Sequence, residues 1–361
     1  MDIALTETQT LLRDAVRDYL EKEVPIERVR QLERDGGVDR ELWTYLQDSG
    51  YLSLPFAEEL GGSGGSLADL AVLLEELTRF AAVTPFMETM LCAVALARHG
   101  EAAAASEVIA GINNGSMLLS PAVLEASDRF DDVKAEVAGG KLTGEKRFVD
   151  YGHLVTHHLV AAREGGNVGL YLVDANAPEV TARPLRTIAR TPQANIGYQG
   201  VAARKVAGEE AHRFLLRLGR VLAAIQCLGN AQEALDKTVE YVSMRVQFGR
   251  PIGTFQAVKH HCANMATMTL ATRFLTYEAV WNLDQGQATD KAIAVAKAWA
   301  SKTSTEVTMQ AHQLHGGIGM TEEYDLHFFS RHGKERALAW GTYEECISCL
   351  ADTIEEVEVW P

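Results

Sequence analysis

SMRVQFGRPIGTFQAVKHH, residues 243–261, interrupts two long helical patterns. On either side of it, apolar residues recur at three- and four-residue spacing, the mark of amphipathic helices. The break holds Gly249, Pro251 and Gly253, which a turn needs. It also holds Arg245, Phe248 and Arg250, which a plain turn does not need. Two cations and an exposed aromatic in a helix connection point to something that the loop holds.

Working outward, the helical period runs from Glu209 to the end, over about 209–245, 256–283, 288–314 and 334–357, each long enough to cross a bundle. Upstream, from Met117 to Val206, the pattern shortens to β-type runs such as KLTGEKRFVD (141–150) and VGLYLVD (168–174). AGGK at 138–141 reads as a hairpin turn between two of them. The first part of the chain is helical again. Thr6 and Gln9 form a capping box ahead of Leu12, Val16 and Leu20, and a second helix starts at Asp39 and stops before Gly50. Ser66 is placed to cap a helix through LADLAVLLEELTRF. The glycine-rich LGGSGGS (60–66) follows no strand and precedes no lysine in phosphate-loop register, so it reads as a plain loop. The predicted fold is therefore multidomain α+β. It comprises an N-terminal α-helical domain (1–115), a middle antiparallel β domain (116–207) and a C-terminal four-helix bundle (208–361).

Composition narrows the function. The 361 residues are 47% hydrophobic and 23% charged, ordinary for a globular protein with a sizeable core. A formal charge of −15 argues against nucleic acid as the main partner, because phosphate neutralisation needs a basic face. The acidic, amphipathic start lacks the basic and apolar regions of a signal peptide, and no apolar run reaches the ~18 residues that suggest a membrane span. The five cysteines are scattered, which predicts a reducing cytoplasm, and Cys346 and Cys349 read as neighbours on a helical face. His153 and His157 would lie roughly 13 Å apart on a strand, too far to share a metal.

The element order, RVQFGRPIGTFQ (245–256) and QLHGGIGMTEEY (313–324) together resemble the acyl-CoA dehydrogenase family, over nearly the whole chain. The resemblance implies FAD, held between subunits, with Arg245 on its diphosphate, Phe248 on the adenosine side and Gln256 in a polar contact there. It also gives Gln313, Gly316, Gly317 and Thr342 to the cofactor. The chemistry suits these roles: arginine presents a planar fork of donors to phosphate oxygens, and phenylalanine offers a face to the adenine. The implied partners are an acyl-CoA substrate, an electron-acceptor flavoprotein and neighbouring acyl-CoA dehydrogenase-like chains.

The sequence departs from the family at the chemistry itself. The implied base is a carboxylate that takes the Cα proton of the thioester. Counting on from Gly317 through Glu323–Tyr324, Arg331 and Lys334, the base position falls on Trp340, which accepts no proton. A second branch of the family carries its glutamate just before an arginine on the first C-terminal helix, and here that pair reads Gly219–Arg220. The segment that faces the flavin ring reads PAVLEASD (121–128), retaining only Ser127 and Asp128, and the family's Trp-Ile-Thr/Ser triplet reads Phe148–Val149–Asp150. A carboxylate there would oppose the charge of a reduced flavin. The leading expectation is a subunit of a heteromeric (α2β2) acyl-CoA dehydrogenase that lends the adenosine half of the FAD site to a partner, for bulky or steroid-type acyl-CoA. The alternatives are a homotetramer using Glu344 or Glu345 as base, or a non-catalytic scaffold.

Overall fold

Thr6 caps the first helix as its spacing predicts. In the computed structural model, which describes residues 5–351, the Thr6 hydroxyl accepts from the Gln9 N–H at 3.2 Å and the Gln9 side chain accepts from the Thr6 N–H at 3.1 Å. This box opens α1 (Glu7–Glu23), whose Val16 and Leu20 are fully buried. After α2 (Ile26–Asp35), Asp39 starts α3 (Arg40–Asp48) by accepting from the Leu42 N–H at 2.9 Å. α4 (Leu67–Arg79) begins directly after Ser66. α5 (Phe86–His99) and α6 (Ala102–Asn113) follow, and every residue of α5 from Phe86 to Leu96 is buried, as a helix apolar on all sides must be.

The strands are β1 (Leu119–Ala122), β2 (Glu136–Ala138), β3 (Lys141–Asp150), β4 (His157–Glu164), β5 (Asn167–Asp174), β6 (Val180–Leu185), β7 (Gln193–Ala202) and β8 (Arg204–Ala207). They form one sheet in the order β6-β7-β3-β2-β4-β5-β8, with β1 beside β4. Gly139 (φ 56°) and Gly140 (φ 74°) make the two-residue turn between β2 and β3, a left-handed pair that glycine adopts without strain. The pairing is antiparallel except where β4 runs parallel to β1 and, at one register position, to β2. Val137, Leu142, Val160, Tyr171, Ile196 and Tyr198 pack the inner face.

That face also buries polar groups. His158 Nε2 lies 2.7 Å from the Gly152 carbonyl oxygen and Nδ1 lies 3.0 Å from the Tyr198 hydroxyl. Burial pushes its pKa down to about 4, and does the same to His212, also buried, at the start of the next helix. An unfolded histidine titrates near 6.5, so below that pH the unfolded chain binds protons that the native state refuses. Stability is therefore complete above about pH 6.5 and falls as pH drops towards 4, by about 1.4 kcal/mol per pK unit for each histidine. The melting temperature is expected to decline steadily across that window, with His158→Gln flattening the slope. A melting temperature independent of pH between 6.5 and 4 contradicts this.

The later helices are α7 (Glu209–Met244), α8 (Gln256–Asp284), α9 (Asp290–His315), α10 (Leu326–Leu338) and α11 (Tyr343–Ala351). α7 is long and apolar enough to cross a membrane by composition, but its most apolar window is 72% buried within the protein, as in a core helix. The single helix expected over 334–357 is instead two, broken at Ala339–Thr342, and residues 352–357 of that expectation lie outside the described residues. The cause is local: Trp340 and Gly341 take φ of 61° and 116°, which no helix continues through. Cys346 and Cys349 do lie on one helix, α11, packed towards Ala294 and Ala298 of α9.

Grouped by compactness, the chain falls into two units that cut across chain order. Among the described residues, one takes 5–26, Leu67–Ala82 and 219–351; the other takes Glu27–Ser66 and Val83–Leu218. Charge ties the first together. Buried Glu75 of α4 accepts from Arg273 at 2.6 and 2.8 Å and from the Tyr277 hydroxyl at 2.8 Å, both on α8. Arg79 reaches Glu233 at 3.1 Å and Asp236 at 2.8 Å on α7.

Candidate functional site

The break at 243–261 is a small protruding hairpin. β9 (Val246–Gln247) and β10 (Arg250–Pro251) pair antiparallel around Phe248 and Gly249. The ends of the hairpin are pinned: the Arg245 N–H donates to the Tyr241 carbonyl at 2.8 Å, and the Ile252 N–H donates to the Arg245 carbonyl at 2.8 Å. Gly253 is required by crowding, since a Cβ there would stand 2.9 Å from the Val242 carbonyl oxygen. Phe248 has a φ of 54° and is 91% exposed. A bulky residue in left-handed backbone, held out in water, is strained in a way that folding does not require, and such strain gathers at ligand-binding positions. Phe255 meets it edge-on at 6.0 Å and in turn carries the Arg250 guanidinium over its face at 4.1 Å.

Arg245, Gln256 and Gln313 are exposed, and their side chains have no hydrogen-bond partner among the described residues. Gln256 is the first residue of α8. Gly316 and Gly317 face open space, Gly316 with a φ of 63°. The two motifs meet through rings. Tyr241, at the base of the hairpin, stacks on His315 at 4.4 Å, and His315 Nε2 lies 3.0 Å from the Tyr324 hydroxyl. Burial draws the His315 pKa down, so this connector is neutral near pH 7. The sequence singled out neither Tyr241 nor His315 individually. Thr342 lies elsewhere, at the break before α11: its hydroxyl accepts from the Glu345 N–H at 3.2 Å and its own N–H donates to the Glu345 carboxylate at 2.6 Å.

Trp340 and Gly219, the two positions at which the family resemblance expects a carboxylate, are in contact. A Cβ on Gly219 would stand 2.4, 2.6 and 2.8 Å from Cε3, Cδ2 and Cζ3 of the indole. Arg220 Nε donates to the Trp340 carbonyl at 3.2 Å. Just upstream, fully buried Lys297 donates to the Ala337 carbonyl at 3.0 Å and to Ser301 Oγ at 2.8 Å, and burial lowers its pKa. An ammonium on the last carbonyls of α10 is a C-cap, and it fixes the point at which the chain turns into Trp340.

The strand residues at 121–150 belong to the other unit. Glu125 is turned inward, accepting from Lys146 Nζ at 2.6 Å and from the N–H groups of Lys134 and Ala135 at 3.0 Å each. Desolvation pulls the Lys146 pKa down, with Glu125 pulling the other way. Phe148 is half exposed at φ 51°, beside a register shift between Lys146 and Val149. Asp150 accepts from the Gln193 amide at 2.6 Å.

Comparison with known proteins identifies this arrangement. The acyl-CoA dehydrogenase C-terminal domain profile matches residues 209–354 and the N-terminal domain profile matches residues 6–116. Acyl-CoA dehydrogenase IpdE2 of Mycolicibacterium smegmatis is 31% identical over 338 residues, covering 92% of this chain and 95% of the relative. Among solved structures, a chain of the Tcur3481–Tcur3483 steroid ACAD variant superposes with a TM-score of 0.91 at 34% identity, covering 97% and 98% of the two chains. A chain of the ChsE4–ChsE5 complex of Mycobacterium tuberculosis gives 0.93 at 28% identity, covering 99% and 100%. With two domain profiles and a relative 31% identical over nearly its whole length, the chain belongs to the acyl-CoA dehydrogenase family.

Proposed function

We propose that this chain is the base-lacking subunit of a heteromeric, FAD-dependent acyl-CoA dehydrogenase. It supplies the adenosine diphosphate half of the FAD site to a partner subunit that carries the base. The observation that carries the reading is the indole of Trp340 lying on Gly219, which leaves both base positions without a carboxylate in a chain whose hairpin is intact.

The hairpin fits the cofactor. An unpartnered guanidinium fork, two unpartnered amides and an exposed aromatic face match a diphosphate joined to an adenosine. Arg245 would hold the diphosphate, Phe248 the adenosine side, and Gln256 and Gln313 polar atoms nearby. Gly316 and Gly317 would let the backbone lie close, and Thr342 would add a further contact. FAD, when bound, would supply the acceptor for the hydride that leaves Cβ of the thioester. The partner's carboxylate would take the Cα proton, because this chain has no acid or base at either position. Two of the solved relatives bear the names of two components, and one is a steroid ACAD. These favour an assembly of two different chains and a bulky, steroid-type acyl-CoA, with an electron-acceptor flavoprotein to reoxidise the cofactor.

Co-expression with the adjacent reading frame tests this. The expected product is a yellow complex holding about one FAD per two chains, since a good half-site meets a good half-site at only some interfaces. A homo-oligomer with one FAD per chain contradicts it.

Glu344 and Glu345, the bases of the competing homotetrameric reading, are both exposed, and the Glu345 carboxylate is engaged in capping α11. Replacing both with glutamine keeps that cap, because glutamine serves equally in a capping box. Dehydrogenation by the complex is expected to stay within a few-fold of normal. A loss of about 10²–10⁴-fold, the usual contribution of a general base, would support the homotetramer.

A further inference from the structure

Gly219 and Trp340 lie far apart in sequence and fill one space. A Cβ at 219 would sit under 3 Å from three atoms of the indole benzo ring, closer than real side chains approach. No side chain at 219 is therefore compatible with the indole as placed. Conversely, the indole lies where it does because 219 is glycine.

The indole is also fixed there at a cost to the backbone. Trp340 has a φ of 61°, which costs a bulky residue stability and is otherwise left to glycine. Both flanks hold it in place. On one side, Lys297 caps α10 at Ala337. On the other, Gly341 fits against Arg220, where a Cβ would stand 3.4 Å from Nε, and the Thr342–Glu345 box starts α11 at once. Arg220 then takes the Trp340 carbonyl itself. Trp340 is itself half-buried. It is strained and partly open, with its ring laid over the spot at which either base would have stood.

We propose that Trp340 is a built-in plug that occupies the acyl end of this subunit's own thioester site and closes it to acyl-CoA, with Gly219 as the seat that admits the indole. The proposal rests on the base-lacking reading and deepens it. Such a subunit has not merely lost a carboxylate: it excludes the acyl chain, so that substrate is confined to the site whose base the partner carries.

The test is calorimetric titration of the full chain with acetyl-CoA and octanoyl-CoA, which differ only in their apolar tail. Wild type is expected to show no preference for the longer tail. Trp340→Gly removes the indole, and the opened space should favour octanoyl-CoA by at least about tenfold, given about fourfold per buried methylene. Free indole should compete octanoyl-CoA off the variant but have no effect on wild type. The seat is tested separately. Gly219→Ala should lower the melting temperature in the wild-type background and have little effect once Trp340 is glycine. Should Trp340→Gly fail to fold, Trp340→Leu and wild type decide the matter. A wild type that prefers octanoyl-CoA tenfold overturns the plug, as does a folded Trp340 variant with no preference. Flavin stoichiometry of the co-expressed complex reports on the base-lacking reading independently: one FAD per two chains, with a wild type that senses tail length, would sink the plug alone.

Discussion

Replacing Arg245 with alanine is expected to strip FAD from the assembled protein without unfolding it. The guanidinium is exposed and has no partner among the described residues, so its removal breaks no native contact and stability should move by less than about 0.5 kcal/mol. On the ligand side, a charge-assisted contact to phosphate contributes about 1.5–3 kcal/mol, or roughly 10- to 150-fold in affinity. Arg245→Lys keeps the charge but loses the planar fork, so it should fall between wild type and alanine. Phe248→Ala gives a second reading of the same site. Since that ring is 91% exposed on strained backbone, its removal should leave the melting temperature unchanged or slightly raised while flavin binding weakens. The measurement is flavin released on denaturation of the purified complex, beside its melting curve. Unchanged flavin content in Arg245→Ala would remove this residue from the cofactor site.

How much of this could be read in advance depends on the range of the forces involved. The Thr6–Gln9 box, the cap at Asp39 and the glycine turn at 139–140 are decided within four residues, and the sequence showed each. The hairpin at 246–251 was legible only as a break. Its strands are two residues long, and a phenylalanine at positive φ is a conformation that local preference argues against. The break at 339–342 was missed because apolar spacing continues through it. Thr342–Tyr343–Glu344–Glu345 carried the signal, a capping box that marks a new helix start. The parallel pairing of β1 with β4 and the ring stack of Tyr241 on His315 join residues far apart in the chain, which periodicity does not report. The same holds for the chemistry. Trp340 and Gly219 each stood out against the family resemblance, but only their contact shows two departures to be one.

Assayed without a partner, the chain is expected to be nearly colourless and to dehydrogenate no acyl-CoA, and mixing with the correct second chain should raise activity by more than about 10²–10⁴-fold. Two losses combine in this prediction. The general base alone accounts for that range, and the lone chain also lacks the hydroxyl that the family resemblance places towards the ring, having Asp150 in that triplet. Restoring one without the other should therefore fail. Trp340→Glu returns a carboxylate to the base position, and Gly219 leaves room beside it. A homo-oligomer of that variant should still be inactive, because Asp150, which accepts from the Gln193 amide, leaves a carboxylate where the family resemblance places a hydroxyl. Adding Asp150→Thr is the informative second step, since it removes the charge and supplies a hydroxyl. Anaerobic titration with acyl-CoA reads the outcome as bleaching of the flavin. A wild-type chain that arrives yellow on its own, with one FAD each, and bleaches stoichiometrically would show that this subunit completes its site with a copy of itself.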